Sequence, residues 1–314
     1  FSSEHSMKLD GETIKYSATA GETYLYNEKD EPTASIFSTS YIREGVSDAT
    51  SRPVTFVFNG GPGSASLWLH MGAFGPKRVV TPSDATGVGA PPYAIVDNQN
   101  SLLDVTDLVF IDPVGTGYSR PLGDAKGKDF YGVNEDAESI AEFIRLWLTK
   151  NQRWNSPKFL AGESYGTTRA AALTEKLQGG WNGIGLNGVI LMSAILDFQT
   201  GVFAPGNDTS LIAYFPTEAA IAWYHGKVDK AKWNNDFQAF LTDARTYATD
   251  TLAPALIRGS TLTPAQQSQI AADMSGYLGV SAEWIGEAKL RVDATRFRKE
   301  LLRRDGYTVG RFDG

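Results

Sequence analysis

Cysteine is absent from this 314-residue sequence, and histidine occurs three times, at His5, His70 and His225. Without cysteine the chain has no disulfide, no cysteine-ligated zinc or iron–sulfur centre and no thiol nucleophile. Three widely spaced histidines do not form the pattern of a histidine-rich metal site. We therefore expect chemistry that needs no metal or other cofactor.

Acidic residues outnumber basic ones, 36 to 29, and long hydrophobic runs are scarce. The formal net charge is −7 and the sequence pI is about 5.1, which argues against binding to nucleic acid or to an anionic membrane surface. The longest apolar stretch, residues 189–196, is far shorter than the roughly 20 residues of a membrane-spanning helix. The sequence begins at Phe1, with neither Met nor a signal-peptide pattern, from which we expect a processed or trimmed N-terminus. We also expect an exported protein, periplasmic or secreted.

The first part of the chain alternates short apolar runs with helical stretches. With 42% hydrophobic residues the sequence can build a large core. The runs are rich in β-branched and aromatic residues, as strands buried on both faces are, and we predict strands at 54–58, 107–111, 158–162 and 188–193. Residues 136–150 carry an apolar helical face between them. Strands that alternate with helices predict an α/β domain with a mostly parallel sheet, over residues 1–200.

The remainder, residues 201–314, has a different pattern. Residues 229–252 and 263–278 are typical of helices, and Thr263 and Pro264 suit an N-cap and a first helical position. A helical block that follows an α/β block predicts an inserted helical cap.

The segment "GESYG", Gly162 to Gly166, fits the pattern G-x-S-x-G between a predicted strand and a predicted helix. This context is typical of a nucleophile elbow, a sharp turn that exposes a serine at the edge of the sheet. Ser164 is therefore the candidate nucleophile. The alternative is a structural glycine–serine turn.

A second glycine-rich segment, "NGGPG" from Asn59 to Gly63, follows the strand at 54–58. Acyl transfer needs backbone N–H donors for the oxyanion of the tetrahedral intermediate. One such donor comes from the residue after the nucleophile, here Tyr165, and the other from a glycine-rich loop, for which Gly60 and Gly61 are placed. A plain turn is the alternative interpretation of this segment too.

Three motifs in this order, "FNGGPGSASLW", "LVFIDPVGTGYSRP" and "LAGESYG", resemble those of the serine carboxypeptidase family, and bacterial members above all. The resemblance covers residues 35–200 and is weaker beyond. It implies an α/β-hydrolase fold and an enzyme that removes C-terminal residues from peptides through an acyl-enzyme on Ser164.

The resemblance also implies roles for individual residues. The amides of Gly61 and Tyr165 form the oxyanion hole, and the side chains of Asn59 and Glu163, with the amide of Gly60, bind the terminal carboxylate of the substrate. No Arg or Lys lies within either loop, whereas an Asn amide and a protonated Glu supply neutral donors. The sequence departs from the family where Val57 replaces a common Trp and Ala73 a common acidic residue.

The acid and histidine of a Ser-His-Asp triad follow the serine in α/β-hydrolases. Only His225 follows Ser164, within a predicted helix, and His70 precedes it; we assign neither as the base. We expect the Asp, the His and the last strands of the core to come from a second polypeptide of the same precursor. The chain could instead be a fragment or a catalytically inactive binding relative, and an esterase or acyltransferase is the alternative activity.

Overall fold

The structure is a computed structural model that describes residues 1–84, 86–179, 183–312 and 314. The chain forms two compact units, Phe1–Leu196 and Asp197–Gly314.

The first unit is built on one mixed β-sheet. Its strands are β1 (Ser2–Leu9), β2 (Glu12–Tyr26), β3 (Pro32–Arg43), β4 (Val54–Phe58), β7 (Asp107–Ile111), β8 (Arg120–Pro121), β9 (Lys158–Glu163) and β10 (Gly188–Met192), while β5 (Lys77–Val79) and β6 (Ile95–Asp97) form a separate ribbon. The order across the sheet is β1-β2-β3-β7-β4-β9-β10, and β8 pairs with β3.

The centre of the sheet confirms the four predicted strands. β7, β4, β9 and β10 are mutually parallel neighbours. Every residue of β4 and β7 is buried, as expected of parallel strands covered on both faces. β9 extends to Glu163 rather than ending at 162, and β10 ends at Met192 rather than at 193.

An antiparallel meander of β1, β2 and β3 extends the sheet, and β3 pairs antiparallel with β7. The sequence analysis did not predict these strands. Most of β1 and β2 is exposed, since antiparallel strands tolerate solvent on one face, and they therefore lack the continuous apolar runs that made the central strands predictable.

Two long helices pack together on the sheet, α2 (Val133–Lys150) and α3 (Tyr165–Gln178). α2 begins at Val133 rather than at the predicted 136, and the apolar face predicted for it is buried in the same core cluster as β4 and α3. A short helix, α1 (Leu67–Leu69), and a π-helical turn (His70–Phe74) follow β4. Short 3₁₀ turns lie at Leu102–Asp104 and Gly127–Phe130.

The second unit is helical over its described residues. Its helices are α4 (Thr209–Tyr224), α5 (Phe237–Tyr247), α6 (Ala253–Arg258), α7 (Pro264–Leu278), α8 (Ala282–Glu287) and α9 (Ala294–Glu300), with short 3₁₀ or π turns between them. Thr263 caps α7 in a capping box with Gln266, and Pro264 is its first residue, as predicted. The helix predicted over 229–252 is interrupted, because Asn234 and Asn235 adopt left-handed backbone angles before α5.

Candidate active site

Ser164 lies at the turn between β9 and α3, the position predicted for it. Its backbone angles are φ 58° and ψ −126°, a strained conformation for a residue with a side chain. Three hydrogen bonds hold this turn: the Ser164 amide donates to the Met192 carbonyl (2.9 Å), and the amide and hydroxyl of Thr167 donate to the Ser164 carbonyl. The strain is therefore fixed by the neighbouring strand and by the first turn of α3.

The two glycines of the turn are required by close packing. A Cβ atom on Gly162 would lie 2.2 Å from the Gly166 carbonyl oxygen, and a Cβ atom on Gly166 would lie 2.9 Å from the carbonyl oxygen of Phe58. Both obstacles are backbone atoms, which cannot rotate away as a side chain does. The G-x-S-x-G spacing thus has a steric cause in this structure.

The glycine-rich loop after β4 packs directly against this turn. A Cβ atom on Gly60 would lie 2.4 Å from the Tyr165 nitrogen and 2.7 Å from the Gly166 nitrogen. Gly61 has a φ of 110°, an angle that favours glycine. Within the described residues, neither the Gly61 amide nor the Tyr165 amide donates a hydrogen bond. Two unpaired N–H donors therefore lie on adjoining backbone segments beside Ser164.

Asn59 and Glu163, to which the resemblance assigns the binding of the substrate carboxylate, are in direct contact. The Asn59 side-chain Nδ2 donates to Glu163 Oε2 at 3.0 Å, and the Leu69 amide donates to Asn59 Oδ1 at 3.0 Å. Asn59 is buried, while Glu163 is half-buried. The second bond fixes the orientation of the Asn59 amide, so that its N–H group faces the carboxyl of the residue before Ser164.

A buried ion pair lies at the base of the loop. Arg169 Nε donates to Asp136 Oδ2 at 2.8 Å, and Arg169 Nη1 donates to the Asn59 carbonyl at 2.7 Å. The sequence analysis missed this arginine, because it lies outside both loops in the sequence. Its position four residues after Tyr165 in α3 places both side chains on one helical face, and that spacing was the available signal.

The motif "LVFIDPVGTGYSRP" forms a loop that contacts the segment after "NGGPG". The Ser66 amide donates to Asp112 Oδ1 at 2.9 Å, and burial raises the pKa of Asp112 above its ordinary value. A Cβ atom on Gly117 would lie 1.9 Å from Asp112 Oδ2. Gly117 therefore leaves the space that the Asp112 carboxylate occupies, and this carboxylate ties the two loops together.

The histidines of the first unit have partners other than Ser164. His70 Nε2 lies 2.6 Å from the Tyr41 hydroxyl, and its ring stacks on Phe110 at 4.4 Å. Burial lowers the pKa of His70 to about 4. His5 Nε2 lies 2.7 Å from the Ser3 hydroxyl. Within the described residues the Ser164 hydroxyl has no hydrogen-bond partner.

His225 belongs to the second unit. It is the C-cap residue of α4, and its ring contacts Tyr224 edge-on. In the part of the chain that the structure describes, no helix is both long and apolar enough to cross a bilayer.

Comparison with known proteins places these features in a family. The family model for serine carboxypeptidases matches residues 20–275. Serine carboxypeptidase-like 29 of Arabidopsis thaliana is 30% identical over 166 residues, which are 50% of this chain and 32% of that protein. Serine carboxypeptidase-like 33 of the same plant is 28% identical over 230 residues, 68% of this chain and 42% of that protein. The chain thus spans about a third to two fifths of the length of these relatives.

Among solved structures, the chain is similar to a prohormone-processing carboxypeptidase of Saccharomyces cerevisiae. The TM-score is 0.46 at 20% sequence identity, and the match covers 84% of this chain and 53% of that one. A serine turn between β9 and α3 and a glycine-rich loop after β4, on a central parallel set of strands, are features of an α/β-hydrolase core. Since the family model spans most of the sequence, the chain belongs to the serine carboxypeptidase family.

Proposed function

We propose that this chain carries the nucleophile, the oxyanion donors and the carboxylate-binding side chains of a serine carboxypeptidase that hydrolyses C-terminal residues from peptides. One observation carries the proposal: Gly60 packs against the amides of Tyr165 and Gly166. This contact brings a loop with an unpaired amide beside a serine that stands on a strand–helix turn, which is the arrangement that acyl transfer needs.

The proposed reaction begins with attack of Ser164 Oγ on the carbonyl of the last peptide bond. The amides of Gly61 and Tyr165 stabilise the oxyanion of the tetrahedral intermediate. The C–N bond then breaks, the base that took the proton from Ser164 Oγ gives it to the nitrogen of the departing amino acid, and the rest of the peptide stays on Ser164 as an ester. Water hydrolyses this ester and restores the hydroxyl.

Recognition of the free C-terminus is assigned to Asn59, Glu163 and the amide of Gly60. The bond between the two side chains supports this assignment, because it joins them into one polar group on the side of the loop that adjoins Ser164. When the terminal carboxylate of a peptide is held there, the scissile carbonyl of that peptide lies one residue away, within reach of the serine.

We further propose that the Asp and His of the triad come from a second polypeptide of the same precursor. A serine needs a neighbouring base to act at moderate pH. His70 is held by Tyr41, and we assign no base role to it or to His225. In this proposal the base is supplied from outside this chain.

The outer edge of β10 supports such a partner. β10 is the last strand in the sheet order, and Val189, Ile190 and Leu191 are 38%, 39% and 41% exposed. Parallel strands are ordinarily buried on both faces. We infer that further strands and helices cover this edge and its two faces, and since cysteine is absent, they are held to this chain without a disulfide.

Native and denaturing, non-reducing mass measurements test the second polypeptide. We expect a native complex that separates in denaturant without a reductant. A single species of 34.1 kDa under both conditions, with full peptidase activity, would show that the base lies within this chain.

Labelling with a fluorophosphonate probe tests the activity itself, since the probe reacts only with an activated serine. We expect labelling of the wild-type protein, no labelling of Ser164→Ala, and hydrolysis of a free-acid peptide in preference to its C-terminal amide. Equal hydrolysis of ester substrates and amidated peptides would favour the esterase or acyltransferase alternative. Absence of labelling would indicate an inactive binding relative. The exported location stays a prediction that cell fractionation can test.

A further inference from the structure

Arg169 is one of the least exposed charged side chains of the first unit, at 2%. A buried guanidinium is costly unless it is paired and hydrogen-bonded. Its two bonds run in different directions: Nε donates to Asp136 on α2, and Nη1 donates to the Asn59 carbonyl at the end of β4. One side chain on α3 is thus joined to a second helix and to the glycine-rich loop.

Two aromatic rings contact the same guanidinium. Its central carbon lies 5.3 Å from the centroid of the Phe58 ring and 5.2 Å from that of the Tyr165 ring. Cation–π contacts at such distances are favourable, especially in sites with little water. Phe58 is the last residue of β4 and Tyr165 is the first residue of α3, so these rings belong to the two segments that carry the proposed oxyanion donors.

Asp136 completes the cluster from α2. Its carboxylate accepts a hydrogen bond from Arg169. Burial raises the pKa of Asp136, and the positive charge of Arg169 and the nearby Tyr165 hydroxyl partly offset this effect. Removing either partner leaves the other charge buried and unpaired, so the two groups act as a unit.

We propose that Arg169 is a positioning residue for the oxyanion site, which fixes the separation between the "NGGPG" loop and the first turn of α3. The proposal rests on the proposed function. Gly60 already contacts the Tyr165 nitrogen so closely that no atom fits between them, and the bond from Arg169 to the Asn59 carbonyl holds the loop at that distance. Without the bond, the Gly61 amide moves relative to the Tyr165 amide.

A lysine cannot replace this arginine. Its ammonium group is a single point of charge, whereas the planar guanidinium donates along two fixed directions while its faces contact the rings. In Arg169→Lys we expect the charge pair with Asp136 to persist and the contact with the Asn59 carbonyl to be lost. A displacement of about 1 Å in an active-site group costs about 10²-fold in rate. We expect kcat to fall by about this factor while KM changes less than about twofold.

The experiment compares Arg169→Lys with wild type and with Arg145→Lys as the matched control. Arg145 forms an ion pair with Glu142 on the outer face of α2, with 40% of its side chain exposed. Amide hydrogen exchange, followed by mass spectrometry, is measured in peptides that cover residues 59–66 and residues 107–111. We expect faster exchange only in the 59–66 peptide of Arg169→Lys, together with the loss in kcat, and no change in either measurement for Arg145→Lys.

The two readouts separate this proposal from the proposed function. If the wild-type protein has no peptidase activity, the proposed function fails, and the exchange data still decide whether Arg169 holds the loop. Unchanged exchange at 59–66 in a folded Arg169→Lys protein overturns the positioning role, as does an equal increase in both peptides, which indicates a general loss of stability. If Arg169→Lys does not fold, Asp136→Asn takes its place, and the same local increase is expected because the arginine loses its charged partner.

Discussion

Replacing Gly60 by alanine adds one methyl group where the "NGGPG" loop contacts the serine turn, and this substitution therefore tests that contact. In Gly60→Ala the added carbon would lie 2.4 Å from the Tyr165 nitrogen, 2.6 Å from the Glu163 carbonyl oxygen and 2.7 Å from the Gly166 nitrogen. All three atoms belong to the backbone of the serine turn. The change therefore cannot be absorbed by a side-chain rotation.

The size of the effect follows from these distances. To restore an ordinary contact of about 3.4 Å, the loop has to move by about 1 Å away from the turn. A shift of that size in the oxyanion donors lowers kcat about 10²-fold. Overpacking at a tightly packed site costs about 1–3 kcal/mol of stability, so we expect the protein to fold with a reduced Tm.

The assay combines fluorophosphonate labelling rates, peptide hydrolysis and thermal unfolding. Gly72→Ala is the matched control, because Gly72 follows the same loop and a Cβ atom there meets nothing within 4 Å. We expect the control to keep its activity and its Tm. A folded Gly60→Ala protein with the labelling rate and kcat of wild type would refute the assignment of the "NGGPG" loop to the oxyanion site.

Three further predictions concern single side chains. Replacing Ser164 by Ala should lower kcat by about 10⁴- to 10⁶-fold with peptide binding kept, and residual activity of more than a few per cent of wild type would exclude it as nucleophile. Glu163→Ala should lower kcat/KM on free-acid peptides about 10- to 100-fold, because a hydrogen bond to a charged group is lost, with little effect on the amidated peptide. Glu163→Gln, which can keep the contact with Asn59, is its control, and equal losses on both substrates would remove Glu163 from carboxylate recognition. Burial, and to a lesser extent the charge of Asp293, raises the pKa of Glu218 in the second unit well above 4.5, and its Oε1 has no hydrogen-bond partner within the described residues. The folded state therefore favours the protonated acid, and stability should fall as the pH rises from about 4.5 towards the raised pKa. Glu218→Gln should remove this part of the pH dependence of Tm, and identical slopes for the two proteins would contradict the reasoning.

The local features of this protein could be predicted from the sequence. The strands at 54–58 and 107–111 were predicted because they are short runs of mostly apolar residues, as buried strands are. The structure has both strands with the same bounds. The turn at Ser164 and the cap at Thr263 are likewise encoded within a few neighbouring residues. The steric contact between Gly162 and Gly166 and the capping box between Thr263 and Gln266 both act between residues close in the sequence.

The long-range contacts were decided by the tertiary structure alone. Arg169 is 33 residues from Asp136 and 110 residues from Asn59 in the sequence, and nothing in its surroundings indicates either partner. His70 is held by Tyr41 across 29 residues, which the sequence analysis did not predict. Such pairs depend on which strands become neighbours in the sheet, and that order results from the packing of the whole unit. The sequence thus determined which residues form the serine turn and the glycine-rich loop, whereas the fold determined which buried groups hold them against each other.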